Sequence, residues 1–152
     1  MGYWHLRYGH SLTAENLILP VPMHYVGIGN DFVLYRISSP WRTRGRITPM
    51  IMVLRSWRGP NSQPEATEKI EGILREGDAK QGCTLQQTRT VKIAGKPAVC
   101  REFVGCRYLL AEIEIRCDAI EQRAEITYYG DHAHAGEFYD ILSRTRAAGI
   151  HD

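Results

Sequence analysis

Three residues of metal-ligand type fall close together near the C-terminus: His132, His134 and Glu137 in GDHAHAGEF, with Asp131 beside them. Imidazole nitrogens and carboxylate oxygens are the donors that zinc or manganese takes from a protein. Spacing limits what this stretch can do alone. On a helix, His134 and Glu137 share a face, whereas His132 and His134 diverge by about 200°. A divalent metal would therefore need a further ligand from elsewhere in the chain. The competing reading is a polar first turn whose neutral imidazoles face water.

A second cluster is cationic. Trp41, Arg42, Arg44 and Arg46 are followed by Arg55, Trp57 and Arg58. In an extended segment the arginines at 42, 44 and 46 project from one side and form a stripe beside an indole. Such a stripe suits a protein partner or an anionic surface, and the alternative is a solvated loop. Nucleic acid is not expected, because the isoelectric point is only about 8.4. The charge is also split. Residues 1–60 carry seven arginines against Glu15 and Asp31, while the remainder is net acidic, and the whole chain is +2.

Nucleophilic catalysis has no signature here. The chain contains no G-x-S-x-G elbow, no S-x-x-K and no glycine-rich phosphate loop ahead of a helix. No residue is assigned a catalytic role.

The four cysteines, Cys83, Cys100, Cys106 and Cys117, include no C-x-x-C pair, which argues against a zinc ribbon or a thioredoxin-type site. An even count in a short domain fits an oxidising compartment. If Ala94-Gly95 makes a two-residue turn, register brings Cys83 opposite Cys106. Cys100 and Cys117 could meet in the next strand pair. Side-chain parity opposes that pairing if Val99 and Phe103 take the core face, unless a bulge near Gly105 shifts the strand. Both pairings stay open, and they are mutually compatible.

The elements that must position these residues follow from periodicity. Pro64 suits a first helical turn after a Ser62 cap, and Ala66, Ile70, Ile73 and Leu74 recur at helical spacing as an apolar stripe expected to face a core. Gly77 and Gly82 close that segment. A second helix is expected after an Asp131 cap, with Phe138, Ile141, Leu142 and Thr145 on one face, Arg144 and Arg146 in its last turn and Gly149 as its stop. Between the two helices the period becomes two. Thr84–Ile93, Ala98–Val104, Leu109–Cys117 and Ala124–Tyr129 read as a meander, with Glu112, Glu114 and Arg116 expected outward in water. Further strands are expected at 17–19, 24–28, 32–37 and 47–55. The last contains Met50–Leu54, apolar on both faces and so placed centrally.

This order predicts a single domain over residues 1–152. It is an α+β fold, an antiparallel sheet of six or seven strands packed with two main helices in an α/β/α sandwich. No apolar run approaches the ~20 residues of a membrane span. The opening MGYWHLRYGH has no hydrophobic signal core. An exported protein would have lost its signal or anchor before this point.

Four stretches resemble the PsbP-like superfamily of α/β/α sandwiches, which includes the photosystem II extrinsic protein and many bacterial envelope proteins. They are AENLILPVPMHYVGIG, the strand ITPMIMVLR, the glycine turn in VKIAGKPAVCREF, and AEITYYGDHAHAGEFYDILSRTR. The resemblance implies a non-catalytic binding or assembly factor, and it carries no functional residue onto this sequence. The expectation is thus a non-enzymatic binding module, extracytoplasmic or periplasmic, with a protein partner or anionic surface as target and no required cofactor. The alternative is a small metal-binding protein or metal-dependent enzyme built on His132 and His134.

Overall fold

The computed structural model describes residues 8–14, 16–23, 25–27, 33–36, 49–56, 64–107 and 111–148. Along them the order is β1 (Tyr8–Ala14), β2 (Leu17–Pro22), β3 (Tyr25–Gly27), β4 (Val33–Arg36), β5 (Met50–Arg55), α1 (Pro64–Lys80), β6 (Thr84–Ile93), β7 (Lys96–Val104), β8 (Ile113–Ala119), a 3-10 turn (Ile120–Gln122), β9 (Ala124–Gly130), α2 (Ala135–Arg144) and β10 (Arg146–Ala147). Seven strands form one antiparallel sheet in the order β3-β4-β5-β9-β8-β7-β6. A smaller sheet has the order β1-β2-β10. The α+β class and the antiparallel meander are as expected.

The meander forms because each of its strands is amphipathic and its connections are short. Ala94 and Gly95 both take positive φ, 54° and 79°, which matches the twist of a two-residue hairpin turn. Ile93 then pairs with Lys96, and the register runs on unbroken to Gln87 opposite Glu102. β5 lies between β4 and β9, in the sheet interior, as its apolar run requires.

One face of the large sheet makes the core. Ile51 and Val53 of β5, Ile113, Ile115 and Cys117 of β8, and Ile126 and Tyr128 of β9 meet Phe138, Ile141 and Leu142 of α2. Leu17, Leu19 and Val21 of β2 close the same core from the small sheet. Tyr128 and Phe138 stack with ring centroids 5.4 Å apart. The face predicted for α2 is buried as expected, Thr145 included. The helix ends earlier than Gly149 would place it. Thr145 is already extended and its hydroxyl donates to the Ile141 carbonyl at 2.8 Å, so Arg146 enters β10 rather than the last helical turn.

Other expectations are corrected. β7 presents Ala98, Cys100 and Glu102 to the core side, not Val99 and Phe103. Glu102 tolerates this position because the Tyr139 hydroxyl donates to it and the Arg89 guanidinium lies 3.2 Å away. Ala111 and Glu112 are not strand and β8 begins at Ile113, while 108–110 lie outside the described residues. The strands β1 and β10 carry no alternation strong enough to announce them. Finally, α1 does not bury its apolar stripe among the described residues. Ile73 is 60% exposed and Leu74 45% exposed. The helix continues through Gly77 to Lys80, and Ser62 lies outside the described residues.

Candidate functional site

The α1 stripe stays uncovered because of the surface it faces. Strand pairing arranges the sheet face away from the core in three cross-strand rows. One row is Leu54, Glu125, Asp118, Val99 and Thr90; the next is Met52, Thr127, Arg116, Arg101 and Thr88; the third is Met50, Tyr129, Glu114, Phe103 and Leu85. Two acids are therefore direct neighbours in one row and two arginines in the next. Like charges directly opposite repel, so the arrangement needs compensation along the diagonals.

The diagonals supply it. Arg101 Nη1 donates to Asp118 Oδ2 at 3.2 Å. Arg116 Nε donates to Glu114, while its two terminal nitrogens donate to both carboxylate oxygens of Asp78 on α1, each at 2.8 Å. That planar fork is the geometry in which arginine binds a carboxylate most strongly. The same guanidinium lies over the Phe103 ring, 4.1 Å from its centroid. Glu114, placed outward in water by the alternation, is in fact only 3% exposed, and Asp118, just past the predicted strand end, is 5% exposed. Burial and the Glu114 charge push the neighbouring Tyr129 hydroxyl up to about 12, so it stays a neutral phenol.

Between α1 and this face runs an open cleft of about 480 Å³. Leu74, Ala79, Leu85 and Phe103 give it apolar wall, and Glu71, Arg75, Asp78, Arg101, Arg116, Asp118 and Glu125 give it charge of both signs. The Cys83–Cys106 disulfide closes one end by tying the residue just before β6 to the chain beyond β7. Gly82 and Gly105 make that closure possible. Both have φ near +80°, and a Cβ on Gly105 would stand 3.0 Å from the Gly82 carbonyl oxygen. The Arg107 amide then donates to the Gln81 carbonyl at 2.9 Å. A bulge between Leu85 and Gln87 shifts the register before the disulfide is reached.

The second disulfide joins Cys100 to Cys117, which pair directly across β7 and β8 and are both fully buried. The parity objection fails because Cys100, rather than Val99, occupies the core face. The four cysteines predicted as disulfide candidates are thus all bonded.

Among the described residues the cleft lining has no histidine, serine, threonine or free thiol, and its Asp78 and Asp118 carboxylates are paired with Arg116 and Arg101.

The histidine stretch is arranged differently from a ligand set. The expected Asp131 cap is not the one formed: His134 is the N-cap, with no side-chain cap bond, and Asp131 Oδ1 accepts the His134 amide at 2.9 Å in the turn before the helix. His134 Nδ1 also sits 2.7 Å from Asp131 Oδ1. Glu137 accepts from the Tyr25 hydroxyl at 2.9 Å, and the exposed His132 uses its amide to donate to Glu112. His132, His134 and Glu137 each have a separate local role, and no group of three potential ligands placed to hold a metal occurs among the described residues. The Tyr128 hydroxyl donates to the Asp131 carbonyl at 2.7 Å. Burial, then the charges of Asp131 and Glu137, push that phenol far above its ordinary range.

Trp41, Arg42, Arg44 and Arg46, the predicted partner-binding stripe, lie outside the described residues, as do Trp57 and Arg58. Arg101, Arg116, Asp118 and Asp78 were not singled out by the sequence. Their signal was available as charge on the alternate positions of strands that a second helix must cover. No helix among the described residues is long and apolar enough to cross a membrane. The chain matches no protein-family model and no curated protein sequence, so its reading rests on this geometry.

Proposed function

We propose that this chain is a non-catalytic binding or assembly module of the cell envelope, and that it takes its partner in the cleft between α1 and the charged sheet face. The observation that carries the reading is the seating of α1. Ion pairing through Asp78 and a disulfide just past its C-terminus hold it, while Ile70, Ile73 and Leu74 stay exposed beside an open cleft. Leu74 lies one turn from Asp78 on the side that lines the cleft. The helix is thus clasped near its C-terminal end and leaves apolar side chains exposed at the opening, an arrangement suited to docking. Paired disulfides support an oxidising compartment, hence an extracytoplasmic location. The PsbP-like order of elements agrees with an assembly role.

The test is site-specific photo-cross-linking in the native host. A benzophenone side chain at Leu74 or Leu85 should capture one defined component, and one at Met23, exposed in the turn after β2 and absent from the cleft lining, should capture none. Equal capture from all three positions, or from none, would contradict the reading. The alternative, a metal protein using His132 and His134, would instead show a stoichiometric divalent ion in the native mass spectrum that is lost in His134→Ala.

A further inference from the structure

The large sheet has two edges of unequal character. One is β3, only three residues long, and the other is β6, ten residues long. Among the described residues nothing pairs with the outer side of β6, and every residue from Thr84 to Thr90 is exposed. Long uncovered edges are normally blunted, since their free N–H and C=O groups will pair with another strand. Here the blunting is partial. The bulge between Leu85 and Gln87 disrupts the first turn of the strand, but Gln87–Ile93 runs in unbroken register beside β7. Threonine and valine recur along that run, residues that suit a pleated strand.

Charge selects the occupant. From Gln81 to Arg101 the chain contains no acidic residue. Arg89 is matched by Glu102, but Lys92 and Lys96 have no ion-pair partner among the described residues. They project to opposite faces of the sheet, because Lys92 pairs with Pro97 and Lys96 with Ile93 in adjacent rows. A strand added beside Gln87–Ile93 would thus meet unpaired positive charge on both faces. Two copies of β6 side by side would set lysine and arginine against their like, which disfavours self-association.

We propose that the outer edge of β6 is a strand-addition site for an extended, acidic segment of a partner protein. Main-chain hydrogen bonds to Gln87–Ile93 would supply affinity, and Lys92 and Lys96 would supply the preference for acidic side chains. This edge is separate from the cleft and stands on its own observations.

The experiment leaves the folded protein intact and varies the probe. A labelled decapeptide of Thr-Thr-Glu-Glu repeats, which sets glutamates on both faces of a strand, is titrated into the full chain, beside the same peptide N-methylated along its centre and a version with lysine for glutamate. Binding should occur with the first peptide only, and backbone amide shifts should centre on Gln87–Ile93. The pair Lys92→Glu and Lys96→Glu should weaken it about tenfold and turn the preference toward the lysine peptide. Both positions are exposed, so the fold should survive, as thermal unfolding would check. Undiminished binding of the N-methylated peptide, shifts centred on Leu74 and Phe103, or no binding of the acidic peptide would overturn the proposal. A concentration-dependent dimer with protected β6 amides would overturn it too, by naming a second copy as the occupant.

Discussion

The two faces of the large sheet are built by the same strands, residue by alternate residue, and they do opposite things. On one face Ile51, Ile115, Cys117, Ile126 and Tyr128 are sealed by α2 and the small sheet. On the other, Glu125, Asp118, Arg116, Arg101 and Glu114 form a charge pattern that α1 touches through Asp78 but does not seal. Apolar contact is non-directional and improves with every surface excluded from water. Buried ion pairs are directional, and they roughly break even against their desolvation. A single sheet can therefore hold its stability on one side and keep the other available for recognition.

The largest effect should come from the sealed face. Phe138→Ala removes a fully buried ring stacked on Tyr128 and should cost about 3–5 kcal/mol in denaturant unfolding, the usual range for such a deletion. A loss below about 1 kcal/mol would mean that this core is loosely packed.

The open face should respond through its charges. Arg116→Met leaves the Glu114 carboxylate buried without its guanidinium partner and frees Asp78. Breaking such a pair typically costs about 3–5 kcal/mol, and the partial exposure of Arg116 lowers the expectation to about 2–3. Adding Glu114→Gln should restore part of that loss, because an amide is cheaper to bury than a carboxylate that has lost this guanidinium. No recovery in the double variant would show that Arg116 acts by covering Phe103 alone.

Alkaline pH is a gentler probe of the same face. The Tyr129 hydroxyl is raised in the folded state from its ordinary 10.0 to about 12. Its contribution to stability is thus complete below pH 10 and is lost as pH rises through 12. Spectrophotometric titration should find this phenol ionising late, and Tyr129→Phe should flatten the fall in stability above pH 10. An unchanged slope would remove Tyr129 from the account.

The smallest effect should be at Ile73. It is 60% exposed on α1, and Ile73→Gln should shift stability by less than about 0.5 kcal/mol while impairing partner capture at the cleft. A loss of several kcal/mol would mean that the side chain is buried in the protein in solution, and that α1 is a core helix after all.

This asymmetry explains what the sequence could and could not announce. The hairpin at Ala94-Gly95, the meander register and the buried face of α2 were legible because turn chemistry and periodicity act locally. Unbroken register offered Cys83 with Cys106 as one open pairing; the bond forms, but with a bulge that sets Thr84 opposite Val104. The core face of β7 was misassigned because Val99 and Phe103 are more apolar than Cys100 and Glu102. Phe103 in fact lies under a guanidinium, and Glu102 is held by Tyr139 and Arg89. The charged grid was missed for a related reason. Alternation marks Glu114 and Arg116 as outward, but only the pairing of β7, β8 and β9 shows that they and Asp118 meet Arg101 and Glu125 beneath α1. His132 and His134 stood out by residue type, yet Asp131 takes His134 locally in the turn before α2.

The most direct test of the two-faced account is native-state hydrogen exchange, read amide by amide. If α1 is seated by a polar clasp and one disulfide, the amides of its Ile70–Gly77 stretch should exchange through local opening, at a free energy well below that of β8 and α2. If those amides exchange only with global unfolding, together with Ile115 and Leu142, then α1 is part of the sealed core and the cleft is not a working surface.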